Sequence, residues 1–465
     1  MSLEQALVQI DRALGDGRVL TDPDVLDGYA RDESEAPAVR PGAVVRATST
    51  AEVAAVLRAA HEHRVPVTPR TGGTGRVGGA VPEPGGIVLA CERMDAIKEI
   101  ARADLYCVVE PGVVTARLHA TVEAEGLFYA PDPNSGSSCG IGGNVACNAG
   151  GPRAFKYGPT REHVLGLEVV TGDGSVLRLG RRTRKGTTGY DLASLVVGSE
   201  GTLAVVTEAT LRLLPRPESV LTLLVPLPDL DAVQGSVTGA IETGLLPRCI
   251  ELLDAVTLDL ARASGAPLPA DAGALLIVEL DGEASEVERG AERIADIFTS
   301  AGARELLVAR HAGDRERLWE RRREMSRALR AAARFKLAED VIVPRTRIGA
   351  LLGAVRRIAE RTGLCMPTYG HAGDGNLHVN VLWDDEAQRP LVERAIGELF
   401  AETVRLGGTL SGEHGIGLLK APYLPLAHPP ALVELQRRVK SLFDPRGILN
   451  PGKIFPAPTS AHGPC

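Results

Sequence analysis

The chain has 465 residues, 44% of them hydrophobic and 24% charged, with a formal net charge of −7. That length exceeds one compact core and implies two major domains, and the composition is that of a chain that folds throughout apart from its ends. The charge is dispersed and the basic runs are as short as Arg181, Arg182, Arg184 and Lys185, which argues against nucleic acid as a partner.

No apolar run approaches the roughly 18 residues that span a bilayer, so no transmembrane segment is expected. The opening MSLEQALVQIDRALGDGR reads as an amphipathic helix rather than a leader, and the expected location is cytoplasmic, at most peripheral at the inner membrane face. The seven cysteines (Cys91, Cys107, Cys139, Cys147, Cys249, Cys365 and Cys465) contain no C-x-x-C. Neither a disulfide framework nor an iron–sulfur cluster is therefore expected in this chain, and an electron relay beyond a bound organic cofactor would lie on another protein.

In chain order, the first half reads as short strands separated by glycine-rich loops, with a helix from Ala51 to Arg64. Two prolines in LRLLPRP, Leu211 to Pro217, mark a domain boundary. Beyond it strands are expected at Val220 to Val225 and Ala274 to Leu280, and helices at Ser285 to Ala301 and Asp314 to Phe335. The final SLFDPRGILNPGKIF is rich in turns and suggests a return of the chain to another surface.

PVTPRTGGTGRVGGAVPEPGG contains Gly73-x-Gly75-x-x-Gly78, which alone matches the dinucleotide fingerprint. That fingerprint needs a helix to start at once, and Gly78, Gly79, Pro82, Pro84, Gly85 and Gly86 forbid one. No Gly-Lys-Ser/Thr follows either. What remains is a loop whose successive backbone N–H groups suit a diphosphate, or else a tight turn between strands. A second glycine-rich stretch, PDPNSGSSCGIGGNVACNAGG, again implies bare backbone brought close to something, with Asn144 and Asn148 beside it.

Four segments, in this order and spacing, resemble the FAD-binding domain of the vanillyl-alcohol-oxidase type flavoproteins: Pro69-Arg70-Thr71-Gly72-Gly73-Thr74-Gly75, Ile141-Gly142-Gly143-Asn144 with Asn148-Ala149-Gly150-Gly151, Lys156-Tyr157-Gly158, and Ser199-Glu200-Gly201-Thr202-Leu203. The resemblance implies that the first loop, with Gly78, cradles the pyrophosphate. It also implies that Pro133, Gly142, Gly143, Asn148, Gly158, Glu200, Gly201 and Val206 line the rest of the FAD. Some relatives carry in the first loop a histidine bonded to the flavin; Thr74 stands there in this chain, so the implied FAD is non-covalent.

In TYGHAGDGNLHVNVLW, Leu377, Val379 and Val381 alternate with His378 and Asn380, which share the other strand face. A turn at Gly373 to Asn376 makes a hairpin that brings His371 beside His378. The six-residue gap is not the common zinc spacing, and structural or solvated histidines are the alternative. Ser411-Gly412-Glu413-His414-Gly415 adds a carboxylate and a third imidazole, otherwise a polar loop with a helix cap. Two histidines and a carboxylate suit a borderline divalent ion with positions open to substrate, and His414 can then serve as base. His311-Ala312-Gly313-Asp314 copies the start of the motif without its later Asn and His and is expected to be a loop.

Both clusters, followed by Asn450-Pro451-Gly452-Lys453, resemble the C-terminal half of FAD-linked D-lactate and D-2-hydroxyglutarate dehydrogenases and of the glycolate oxidase flavoprotein subunit. The resemblance implies an α+β chain. In numbers, 1–37 is a helical lead-in, 38–217 the two-subdomain FAD-binding domain, 218–440 an α+β substrate (cap) domain with an antiparallel sheet, 441–457 a segment returning to the FAD domain, and 458–465 a tail. It further implies zinc or manganese on His371, His378 and Glu413, His414 as catalytic base and substrate contact, and Arg322, three residues after Trp319 on a helix, as the cation for the substrate carboxylate. Asn380 is expected beside the substrate. Relatives acting on 2-hydroxyglutarate carry a lysine where Ala338 stands, with Lys336 two residues away, which favours a monocarboxylate.

The expected reaction is oxidation of a small D-2-hydroxy acid to the 2-oxo acid, with hydride passing to flavin N5 and electrons leaving to a quinone, a cytochrome or an electron-transfer flavoprotein. Two rivals stand beside it. One is a glycolate oxidase flavoprotein subunit working with an iron–sulfur partner subunit, and the other is a non-catalytic flavin-binding sensor or assembly protein.

Overall fold

The computed structural model describes residues 2–15, 17–265 and 268–456, and the expected tail 458–465, with Cys465, lies outside them. The chain divides into two units. Unit 1 comprises Met1–Ala149, Pro159–Pro215 and Glu413–Cys465; unit 2 comprises Gly150–Gly158 and Arg216–Gly412. Unit 2 thus ends at Gly412, where the expected substrate domain ran to 440, and it takes in a nine-residue piece of the glycine-rich first half.

Unit 1 holds a two-stranded pair, Leu127–Phe128 with Leu214–Pro215, and two larger sheets. In the smaller, Ala43–Arg46, Ile87–Ala90 and Val67–Arg70 run parallel, with Val19–Leu20 antiparallel at one edge. The helix Thr50–His63 covers it, opened by Ser49 accepting from Glu52 N and closed by Arg64 in the left-handed region. The larger sheet is antiparallel in the order Ile97–Ala101, Tyr106–Val109, Ala204–Arg212, Val164–Thr171, Val176–Gly180. Its core includes Cys107, Val109, Ile141, Val145 and Val206.

The last segment of unit 1 closes against the first. Asp444, 2% exposed, accepts from Ile448 N (3.0 Å), Leu449 N (2.8 Å) and Lys440 Nζ (2.7 Å), so one carboxylate shapes the turn after the helix Pro430–Phe443. Leu449 then bridges to Val67, Asn450 Nδ2 donates to the Glu200 and Gly79 carbonyls, and Lys453 Nζ donates to Val81 O.

Unit 2 is built on a seven-stranded sheet in the order Leu307–Ala309, Ser219–Leu227, Ala274–Gly282, Cys249–Asp254, Thr368–His371, Asn376–Trp383, Phe335–Ile342, every pair antiparallel. Most strand residues are buried, and helices include Leu230–Glu242, Ala284–Ser300, Ala312–Ala331 and Ile348–Thr362. The helix expected to run to Phe335 stops at Ala331, because Phe335–Ile342 is taken by an eight-pair ladder with Asn376–Trp383. Tertiary pairing overrides the helix preference of an alanine run here. The expected loop at His311 is the start of that same helix, with His311 at its N-cap. No helix among the described residues is long and apolar enough to cross a membrane.

Replacing Asp444 with Ala leaves the Ile448 and Leu449 amides without this acceptor and takes the carboxylate from Lys440, which keeps the Thr202 and Leu449 carbonyls. The expected loss is about 3 kcal/mol of unit 1 stability by chemical denaturation, and a loss under about 0.5 kcal/mol would contradict the role given to this carboxylate.

Candidate functional site

Three of the glycine-bearing segments converge in unit 1. A Cβ on Gly72 would come within 2.2 Å of Ser138 O, one on Gly140 within 2.9 Å of the Thr71 Cβ, and one on Gly201 within 2.8 Å of Pro69 Cγ. Larger residues at these positions would push the segments apart. Pro69 and Arg70 end the strand Val67–Arg70, and Thr71, Gly72, Gly73, Thr74 and Gly75 form the loop beyond it. The second stretch differs from the expected loop: Ile141–Cys147, including Gly142 and Gly143, is a short helix, closed by Asn148 at φ 51° with its Oδ1 accepting from Arg161 N. The small residues there are needed for contact with Pro111 and Thr71 rather than for a turn.

The remaining cofactor candidates are placed as follows. Pro133 O accepts from Gly136 N in the loop before Gly140. Gly78, at φ 80°, packs against Ala36 and Leu418. Val206 belongs to the core of the antiparallel sheet. Gly158 lies in the segment assigned to unit 2, where Lys156 Nζ and Tyr157 OH both bond Asp281. Arg70 lies against Gly73 of the loop, where a Cβ would meet its Nη2 at 2.1 Å, and is held by a 2.7 Å bond to Arg31 O with the Tyr29 ring 5.5 Å from its guanidinium. Asp32, which sequence reasoning missed, accepts from Ala80 N at the other end of that loop.

Glu200 gives the most informative contact of unit 1. Its buried carboxylate accepts from Ile416 N and Gly417 N, both at 2.7 Å, so the segment that resembles a flavin-lining turn also anchors the loop carrying Glu413 and His414. Burial pushes this carboxyl up, and the two amides act against that. In the loop, His414 Nε2 stands 3.8 Å from Glu413 Oε1, and both residues are half-buried.

In unit 2 the hairpin forms as expected, with one difference in register. Tyr369, not His371, faces His378, and His371 faces Asn376. The histidines are diagonal neighbours on one face, with ring centroids 5.3 Å apart at 86° and a nitrogen of each within 4.8 Å of the other. Both are buried. The Asn380 amide, expected beside substrate, donates instead to the Pro367 and His378 carbonyls.

Two acidic residues that sequence reasoning missed lie opposite this pair in the sheet. Asp340 faces His378 across the ladder and accepts from Asn376 Nδ2, Ser411 Oγ (2.6 Å) and Gly412 N (3.0 Å). Gly412 lies so close to Asn376 that a Cβ would meet its Nδ2 at 2.3 Å. The chain therefore passes the hairpin at Gly412, and Glu413 is the next residue, with its Cα about 3.8 Å further on.

Glu251, fully buried, faces His371 across the sheet; its Oε1 bonds His371 Nδ1, its Oε2 accepts from Arg322 Nε (2.9 Å), and Arg322 Nη2 stands 2.7 Å from the same oxygen as an ion pair. Arg322 also lies over the Tyr369 ring at 4.5 Å. Arg322 is thus buried and held inward. The only trace of these carboxylates in the sequence is acidic residues within hydrophobic strands, Glu251 in CIELLD and Asp340 beside Glu339 in FKLAEDVI.

Glycine-braced loops in one unit and, in the other, a buried histidine pair with Glu251 bonded to His371 go with the class that the comparisons show, the FAD-linked oxidoreductases. Family models agree with the sequence resemblance: "FAD binding domain" matches residues 41–180 and "FAD linked oxidases, C-terminal domain" matches residues 216–454. The chain belongs to the FAD-linked oxidase family. It is 42% identical to the glycolate oxidase subunit GlcD of Bacillus subtilis (strain 168), covering 92% of each chain, and 34% identical to a D-lactate dehydrogenase of Anaerostipes hadrus, covering 94% of each. In fold it is similar to p-cresol methylhydroxylase with substrate bound, with a TM-score of 0.83 at 18% identity, covering 98% of each chain.

Two outcomes are expected. Gly72→Ala should weaken FAD retention by about tenfold or more, since overpacking at a tight backbone contact costs about 1–3 kcal/mol; an unchanged ratio of flavin to protein absorbance would contradict the loop contact. The second concerns Glu251. Burial raises its carboxyl, but the His371 imidazole and the Arg322 guanidinium outweigh that and hold it down at about 2. Its folded value is below the ordinary 4.5, so its stabilisation is fully present above that value and is lost as pH falls towards 2. Acid titration of unfolding should show about 3 kcal/mol lost in this window by the wild type and not by Glu251→Gln.

Proposed function

We propose that this protein oxidises a small D-2-hydroxy acid of the D-lactate type to its 2-oxo acid, with non-covalent FAD in unit 1 and a divalent ion, zinc or manganese, on His371, His378 and Glu413. The observation that carries the reading is the buried histidine pair: His371 is already oriented through Nδ1 by a carboxylate, and a chain held at Gly412 delivers Glu413 as the next residue. Two imidazoles and a carboxylate are a borderline donor set, and a carboxylate behind a ligating histidine is the usual outer support of such a site. FAD when bound supplies the acceptor for the C2 hydride, and the ion supplies Lewis-acid stabilisation of negative charge on the substrate oxygen.

The remaining work belongs to the chain. Arg322 pairs with the substrate carboxylate through hydrogens that Glu251 does not use, since guanidinium offers five N–H groups. The imidazole of His414 takes the hydroxyl proton as C2 loses its hydride, so the acid gives up two electrons and two hydrogens and leaves as the 2-oxo acid. Electrons then leave to a quinone, a cytochrome or an electron-transfer flavoprotein. Glycolate is the second substrate to consider, because a relative at 42% identity is named a glycolate oxidase subunit. For that reading an iron–sulfur partner subunit would carry the electrons.

Anaerobic mixing with D-lactate, L-lactate, glycolate and D-2-hydroxyglutarate should bleach the visible flavin band with D-lactate most rapidly. Chelation should stop bleaching, His378→Ala should abolish it, and His414→Ala should slow it by about 10²- to 10⁴-fold. Bleaching that survives both chelation and His378→Ala would sink the metal assignment; no bleaching by any acid would favour a non-catalytic flavin protein.

A further inference from the structure

We propose that Glu251 is a positioning residue that sets the spacing between the metal ligand His371 and the substrate-binding Arg322. The inference rests on the reading of those two residues given above. Glu251 sits in the middle of the strand Cys249–Asp254, paired on both sides, so its backbone cannot shift without breaking two ladders. Its two oxygens serve different residues. Oε1 accepts from His371 Nδ1, and Oε2 accepts from Nε of Arg322, with Nη2 ion-paired to the same oxygen at 2.7 Å.

The first contact sets the tautomer. With the proton on Nδ1, the lone pair of His371 is on Nε2, the nitrogen that a metal would take. The second contact fixes the arginine. A hydrogen bond and an ion pair to one oxygen, with Tyr369 against the guanidinium face, remove the rotamer freedom that a long side chain would otherwise lose on binding substrate.

A plain structural ion pair explains less. The helix Ala312–Ala331 already has an anchor one turn earlier, where Trp319 Nε1 donates to Glu279 at 2.6 Å on the adjacent strand Ala274–Gly282. Residues three apart share a helix face, so Trp319 and Arg322 meet neighbouring strands together. The second anchor adds little to docking the helix, whereas it ties the guanidinium to the same carboxylate that orients His371. That shared carboxylate suits a substrate presenting hydroxyl and carboxylate on adjacent carbons, one end at the metal and the other at Arg322.

The test uses the full chain loaded with FAD and stripped of metal, with Zn²⁺ affinity read by competition against a chromophoric chelator and KM and kcat measured on D-lactate after reloading. Glu251→Gln should weaken Zn²⁺ by about 10- to 100-fold and raise KM more than it lowers kcat, at unchanged FAD content. Glu251→Asp should recover Zn²⁺ affinity, because a carboxylate again faces Nδ1, while KM stays high because the shorter side chain cannot reach both partners. Wild-type affinity and KM in Glu251→Gln overturn the proposal and leave the metal reading standing. Wild-type protein that takes up no Zn²⁺ overturns both. If Glu251→Gln does not accumulate as a flavoprotein, Glu251→Asp decides alone, and wild-type values for both quantities in it overturn the proposal.

Discussion

A carboxylate buried inside an apolar strand must be paired, and Glu251 is paired twice. Desolvation of a lone carboxylate costs several kcal/mol, and the imidazole and guanidinium that offset it are the groups to which the chemistry of unit 2 is assigned. The sheet makes this pairing possible. Antiparallel register sets His371 opposite Glu251, Tyr369 opposite His378 and Asp340 opposite His378 on the other side, so one strand face gathers the charged residues while Leu253, Ile277 and Leu382 pack nearby. A slip of one residue in any of these ladders would turn the whole set to the opposite face.

Unit 1 solves a different problem with small residues. The positions where side chains are forbidden at Gly72, Gly140 and Gly201 are contacts between the segments themselves. The loops brace one another before any ligand is considered. Glu200 extends this bracing to the loop that carries His414, and Asn450 joins Glu200 to Gly79 from the returning C-terminal segment. The turn at Glu200 and the loop carrying Glu413 and His414 are therefore one hydrogen-bonded assembly.

Periodicity and turn residues made much of this legible. Alternation in LHVNVLW placed His378 and Asn380 on one face, and the glycine spacing marked the loops of unit 1. Helix and strand boundaries failed where pairing overruled propensity, as at Phe335, and where glycines served packing inside a helix, as at Gly142 and Gly143. Glu251 and Asp340 were illegible for a physical reason: their roles depend on which strand lies alongside, and that order, with Cys249–Asp254 between Ala274–Gly282 and Thr368–His371, is non-local. Arg322 was legible as a residue but not in its partner.

The proposed metal site puts a divalent ion on His371, with Glu251 behind it, on His378 and on Glu413. Anomalous diffraction at the zinc and manganese edges, from crystals of the FAD-loaded protein grown with the metal, tests it most directly. The account predicts one strong peak at His371 Nε2, His378 and the Glu413 carboxylate, with His371 Nδ1 still on Glu251. A lattice that takes up metal elsewhere and leaves these three residues without a peak would contradict it.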